Sequence, residues 1–380
     1  MVVFLAVLAG AASAQERPIL VGVAVPLSGQ LHDLGAGYQR GLELWAAEAN
    51  ARGGVLGRRV ELRMRDDLSS AIGEGAIYEK LIDEDKADVL LGPVGSAATL
   101  LAMAVADQRK RVLVNTTGVD SAVLKRGNRY SFQVPAAAQE YGAYFWPLLQ
   151  QAGVKRPLLV DRDDTGMTTR LREDAEKLRI AYVKAEGGPS GDDAVLIERA
   201  RAQGADAVII AAPPGEAAEF VKAMKKAAFA PRIVIASTAA HPVFARAIGQ
   251  DAEFTVGVMQ YSPASRTPGN AAFVKAYRAK FGLAPDFFAA CAYAAGAMLE
   301  AGLKASGTLD QERLREALMQ VRIDTPLGSH ETGKDGAQAG ARPVLMQMQR
   351  GRREIVWPEA SATAKAVTPF PEWGSRVLLK

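Results

Sequence analysis

The side chains that carry most protein chemistry are dispersed in this sequence. His32, His241 and His330 lie far apart, with no H-E-x-x-H pattern and no cysteine pair nearby, so metal ligation and histidine-dependent hydrolysis are unsupported. The single cysteine sits in Ala289-Ala290-Cys291-Ala292 and reads as a buried, inert thiol. No G-x-S-x-G elbow and no G-x-x-x-x-G-K-[ST] loop occurs. Gly35, Gly37 and Gly41 superficially suggest a dinucleotide loop, but their spacing is wrong. They read instead as glycines of a mobile loop and a helix contact. Asp66-Asp67, Asp163-Asp164 and Asp192-Asp193 fall near strand ends or loops, where aspartate satisfies backbone N–H groups. No catalytic constellation stands out, and no metal or cofactor is expected.

The segment best suited to a ligand is a stretch of backbone. Ala87-Asp88-Val89-Leu90-Leu91-Gly92-Pro93 is echoed by Ala205-Asp206-Ala207-Val208-Ile209-Ile210-Ala211-Ala212-Pro213. Each reads as a helix end, a buried strand and a Pro/Gly loop opening another helix. After the first come Val94-Gly95-Ser96, whose free N–H groups and hydroxyl suit an anion at a helix start. After the second comes Gly215-Glu216, whose own carboxylate would occupy the positive end. Only the first loop is ready for an anionic ligand.

The elements that must position this loop alternate along the chain. Ile19 to Val25 is a continuous apolar run, as in a strand covered on both faces, whereas Val60, Leu62 and Met64 alternate with Glu61, Arg63 and Arg65. Val89–Leu91, Val112–Val114, Leu158–Val160, Val208–Ala211 and Ile233–Ala236 are further short strands. Helical patterns separate most of them, among them Met167–Leu178, Asp193–Gln203 and Glu216–Ala227, which implies parallel sheets with right-handed crossovers. The C-terminal part instead predicts helices near 271–280, 288–305 and 310–320. A hairpin follows, turning at Arg350-Gly351-Arg352.

Composition bounds the answer. The 380 residues suggest two or three domains, and 23% charged with 49% hydrophobic residues is a globular balance. One cysteine excludes a disulfide framework. The 46 Lys+Arg against 42 Asp+Glu give only +4 with no basic run, so nucleic acid is not an expected partner. Val2–Leu8 is apolar and is followed by Ala12-Ser13-Ala14, the pattern of an export leader cleaved after Ala14, although no Lys or Arg precedes it. Cys291 is too far from that site to carry an N-terminal lipid, so an unanchored exported protein is expected.

Pro26-Leu27-Ser28-Gly29, Gly35, Gly41 and Asn50-Ala51-Arg52-Gly53-Gly54-Val55-Leu56-Gly57-Arg58 resemble the opening of the periplasmic branched-chain amino-acid-binding proteins. Asp66-Asp67, Gly92–Ser96, Asn128–Phe132, Ala292–Ala295, Thr325–Gly328 and Gly333–Gly336 continue the likeness in order, over essentially the whole chain after the leader. The resemblance to these type I solute-binding proteins of ABC importers implies an α/β fold. Two Rossmann-like lobes with central, mostly parallel sheets would be joined by three crossing hinge segments. The expected crossings lie near Val134-Pro135, Gln260-Tyr261 and Ile323-Asp324. Lobe 1 is then 15–134 plus 262–322, lobe 2 is 135–261 plus 323–360, and 361–380 is a C-terminal tail.

The resemblance also assigns roles. Ser96 and the adjoining Ala97 amide match the grip on a ligand carboxylate, and Gly118 matches a backbone contact. Asp120 stands where the amino-acid binders usually carry threonine, Thr238 where they carry the acid that pairs with the ligand ammonium, and Thr165 where they carry tyrosine. Leu34 replaces a wall aromatic and Phe288 matches an apolar wall residue. A buried ammonium without a counter-charge is costly. The ligand is therefore an amino acid paired with Asp120, or it has no amine: an aliphatic or aromatic carboxylate, or an amide. Asp120 reads equally as a helix cap. The implied function is the solute-binding component of an ABC importer, periplasmic, a monomer or weak dimer, with a small-molecule ligand and membrane permease subunits as partners and no catalysis. A ligand-sensing regulator or receptor domain on the same fold is the alternative.

Overall fold

The computed structural model describes residues 16–125, 129–162, 166–184, 193–340 and 342–376. The expected leader, Asp163, Asp164, Thr165 and Asp192 lie outside them.

The first sheet is built from β1 (Ile19–Val25), β2 (Val60–Asp66), β3 (Val89–Leu91), β4 (Leu113–Asn115) and β5 (Ser131–Gln133). All of its pairings are parallel, in the order β2-β1-β3-β4-β5. The apolar run β1 lies inside the sheet and the alternating strand β2 lies at its edge, as their patterns require. Between them run α1 (His32–Ala51), α2 (Glu74–Asp83), α3 (Ser96–Gln108) and α4 (Ser121–Lys125).

The second sheet takes the order β14-β13-β10-β9-β8-β6-β7. Here α5 (Gly142–Gln151) leads to β6 (Pro157–Asp161), α6 (Met167–Lys177), β7 (Val183–Lys184), α7 (Asp193–Ala202), β8 (Ala207–Ala211), α8 (Pro214–Lys226), β9 (Ile233–Ala236), α9 (Pro242–Ile248) and β10 (Val256–Met259). The chain then returns to the first core. Phe273, Tyr277, Met298, Leu299 and Leu314 pack with β1, β3 and β4 residues. They belong to α10 (Asn270–Phe281), α11 (Phe287–Ser306) and α12 (Gln311–Leu318). Asp286 caps α11 by accepting the Ala289 N–H (2.8 Å), and Gly307 ends it at φ 65°.

A small hairpin of β11 (Arg322–Thr325) and β12 (Gly328–Glu331) stands apart from both sheets. Its Ile323 and Leu327 pack on the first core, so the chain has not yet left that lobe at Ile323-Asp324. It joins the second sheet through the antiparallel pair β13 (Val344–Gln349) and β14 (Arg352–Trp357), turning at Arg350 and Gly351, both at positive φ. Of the expected tail, Phe370 to Arg376 dock on this lobe. Phe370 is buried in its core, Trp373 donates to the Phe229 carbonyl (2.8 Å), and Arg376 stacks 3.5 Å over Trp373.

The glycines at 35, 37 and 41 all lie within α1 rather than in a mobile loop. A Cβ on Gly37 would sit 2.4 Å from the Asp286 carboxylate, and one on Gly41 would sit 2.2 Å from the Ala289 carbonyl. They let α1 press against the start of α11, which is close packing of helices and not phosphate binding.

Candidate ligand site between the two sheets

In open parallel sheets, ligands lie beyond the carboxyl ends of the strands where the strand order reverses. In the first sheet that point is between β1 and β3, and in the second between β6 and β8. The β1 loop leads to Leu34 in the first turn of α1, and the β3 loop leads to Ser96. Because Gly37 abuts Asp286, Leu34 and Phe288 lie on neighbouring helix starts.

Helix α3 begins at Ser96 with Gly95 in the cap position at φ 93°, no side-chain cap and no acidic residue in its first turn. Its first N–H groups are therefore an anion-binding end. The Ser96 hydroxyl oxygen does not cap its own helix. It accepts the N–H groups of Val119 (3.2 Å) and Asp120 (3.1 Å), which tie the β4 loop to the start of α3. An oxygen that accepts twice still has its own hydrogen to donate, so Ser96 is set up to present an O–H to a carboxylate. Ala97, next along, is exposed.

The loop carbonyls are held back by residues that sequence reading missed. Tyr78 donates to Leu91 O and Tyr38 to Gly92 O, each at 2.5 Å. Thr116 donates to Gly92 O (3.0 Å) and Thr117 to Pro93 O (3.1 Å), while Thr117 also receives the Gly95 N–H (2.9 Å). These bonds hold the β3 loop against α1, α2 and the residues after β4. Burial raises both tyrosine pKa values, so the phenols stay protonated donors. The polar run Asn115-Thr116-Thr117 directly after a buried strand was the available signal.

Gly118 is buried, and its peptide is engaged within the lobe. Its N–H goes to Asn115 Oδ1 (2.9 Å), and its carbonyl accepts from Asn115 Nδ2 and Gln133 Nε2 (2.8 Å each). Asp120 is half-buried and begins α4, with Oδ1 accepting the Ala122 N–H (2.9 Å), so its cap role is present. Thr238 follows β9 on the other sheet, and its hydroxyl donates to Ala212 O (3.0 Å) at the end of β8. Thr165 lies outside the described residues. Its neighbour Gly166 approaches the first lobe, where a Cβ would lie 3.4 Å from Ser121 Oγ. Thus Ser96, Gly118 and Asp120 converge directly, while Thr238 is held within its own lobe.

Asp66 and Cys291 have structural settings. Asp66 accepts from Ser28 Oγ and from the Leu27, Ser28 and Leu68 amides. Burial alone would raise its pKa, and these bonds outweigh that and lower it. Cys291 is buried, which pushes its thiol well up. Among the described residues no group of three or more His, Cys, Asp or Glu could hold a metal, and no helix is long and apolar enough to cross a membrane.

Residues 18–353 match the family model described as periplasmic binding protein. The chain belongs to that family. Membership implies an extracytoplasmic location and a binding role. A Leu/Ile/Val-binding protein homolog of Brucella abortus is 27% identical over 374 residues, covering 90% of this chain and 91% of the relative. The fold matches an ABC transporter substrate-binding protein of Desulfitobacterium hafniense solved with Leu (TM-score 0.78, 24% identity, 90% and 100% covered). It also matches a solute-binding protein of R. palustris solved with benzoate (TM-score 0.72, 21% identity, 92% and 97% covered). This periplasmic binding protein therefore has the two-lobed type I architecture.

Proposed function

We propose that this periplasmic binding protein captures a small carboxylate between its lobes and delivers it to the permease of an ABC importer. The observation that carries this reading is the uncapped start of α3 beside Ser96, whose oxygen is already doubly hydrogen-bonded and whose O–H is left to donate. Only a closed form completes contacts from both lobes, so ligand shifts the open–closed population. The names and bound ligands of relatives support two classes, hydrophobic amino acids and aromatic acids. Asp120 commits one oxygen to capping α4, and Thr238 is neutral, which favours a carboxylate without an amine. We further propose cleavage after Ala14, a monomer or weak dimer, and a first lobe that extends through the β11–β12 hairpin, with the third crossing between Gly340 and Val344.

The test is a thermal-shift screen over amino acids, aliphatic acids, aromatic acids and their amides. A tight ligand raises the apparent stability of the folded state. Carboxylates should raise the melting temperature and the matching amides should not; equal shifts for acid and amide would show that the site is not an anion grip. Asp120→Asn should spare an amine-free acid.

A further inference from the structure

We propose that Gln133 is a positioning residue that links the ligand-gripping loop to the hinge, so that movement of the lobes alters the grip of that loop; this rests on the binding role proposed above. Gln133 is 3% exposed and ends β5, immediately before the first crossing. Its Nε2 donates to the Gly118 carbonyl (2.8 Å), one and two residues before the Val119 and Asp120 amides that hold Ser96. Its backbone N–H donates to Gly336 O (2.9 Å), in the segment that leads to the third crossing.

Two further glutamines complete the stitching. Gln338 donates to Val134 O (3.2 Å), and Gln260, at the second crossing, accepts the Ala136 N–H (2.7 Å) and donates to Ala136 O (3.0 Å). The site loop is also hooked to the start of the second lobe by the backbone, where Ala138 N–H donates to Val119 O (2.6 Å). Gln133 is the side chain that reaches the loop from the hinge strand itself. Beside it lies a void of about 10 Å³ lined by Asn115, Ser131 and Gly336, and the buried Ser131 hydroxyl has no hydrogen-bond partner among the described residues.

The experiment uses the full chain and the variants Gln133→Met, which keeps the volume and removes the donor, and Gln133→Glu. Amide hydrogen exchange of the ligand-free proteins should rise in residues 116–121 and 333–338, which are distant in sequence, with β8 and β9 unchanged. Calorimetry with benzoate and L-leucine should show about a five- to tenfold weaker Kd for Gln133→Met with whichever probe binds the wild type. For Gln133→Glu the affinity should recover as pH falls from 8 to 5.5, because only the protonated acid donates to Gly118 O; the wild-type profile should stay flat. A rise in exchange confined to 131–135, or one spread over both lobes, overturns the link. If neither probe binds the wild type while the selective exchange pattern appears, the ligand class fails and the link stands.

Discussion

Two strand–loop–helix units with similar sequences, β3–α3 in one lobe and β8–α8 in the other, are built differently where the helix begins. In the first, Gly95 caps α3 at positive φ, the first turn is free of acids, and the loop carbonyls are taken by Tyr38, Tyr78, Thr116 and Thr117. In the second, Pro213 is the cap, Pro214 removes one donor, and Glu216 fills the first turn. A parallel sheet supplies a positive helix end after most strands, so binding at one of them depends on which end is left unneutralised. The difference between the lobes lies in three or four residues after the strand rather than in the strand or the helix.

The strongest way to erase that difference is Ala97→Asp. A carboxylate in the first turn of α3 repels a ligand carboxylate at close range, a cost of several kcal/mol, so calorimetry should show loss of more than ~100-fold in affinity. The same acid suits the helix dipole, so the melting temperature of the ligand-free protein should hold or rise. Binding that survives would mean the ligand does not meet this helix end. Ser96→Ala should weaken a carboxylate by about 1–3 kcal/mol, since it removes the O–H and frees Val119 and Asp120 from their acceptor. An unchanged Kd would take Ser96 out of the site.

Much of this contrast was legible in the sequence, and what was not has a common cause. The anion-ready loop, the neutral Thr238 and the acid at 216 are local facts, readable from residue type and position after a strand. Strands β1, β3, β4, β6, β8 and β9 were likewise visible as apolar runs and β2 as an alternating one, whereas the short, partly polar β5 and β7 were not. The helix contact expected of the 35–41 glycines is present at Gly37 and Gly41, but the partners Asp286 and Ala289 lie far along the chain, and the expected mobile loop is part of α1. Tyr38, Tyr78 and Gln133 were missed because each acts by hydrogen bonding to a backbone carbonyl, which leaves no trace in hydrophobic periodicity. The crossing near Ile323-Asp324 was placed by the family resemblance, whereas Ile323 and Leu327 of the β11–β12 hairpin pack with the first core, a long-range contact that no local pattern records.

A second carboxylate in a first helical turn sharpens the comparison. Glu74 opens α2, is fully buried, and has neither oxygen hydrogen-bonded among the described residues. Burial pushes its pKa up to about 8, and the nearby Asp67 adds to the shift, with Tyr38 and Tyr78 its other titratable neighbours. The folded state therefore binds a proton that the unfolded chain releases from about pH 4.5, so this contribution is full below pH 4.5 and is lost as pH rises through 8. Glu74→Gln should be more stable than the wild type at pH 8, an advantage that shrinks as pH falls and vanishes near pH 4.5. Denaturant melts at the two pH values measure it; parallel pH profiles would mean that Glu74 ionises in the fold without cost.

The smallest expected effect tests whether charge alone separates the two helix starts. Glu216 lies in the first turn of α8 with one oxygen buried and unpartnered among the described residues, so its benefit to the dipole is partly offset by desolvation. Glu216→Gln should cost about 0.3–1 kcal/mol of stability by denaturant melting and leave ligand affinity unaltered. It should also fail to create a second anion site, because Pro214 has no N–H to give and no serine stands where Ser96 stands in the first lobe. If calorimetry of Glu216→Gln revealed a second equivalent of carboxylate, removal of the acid would be sufficient. The glycine, the serine and the carbonyl-holding hydroxyls of the first lobe would then add affinity to a site that the helix end alone creates.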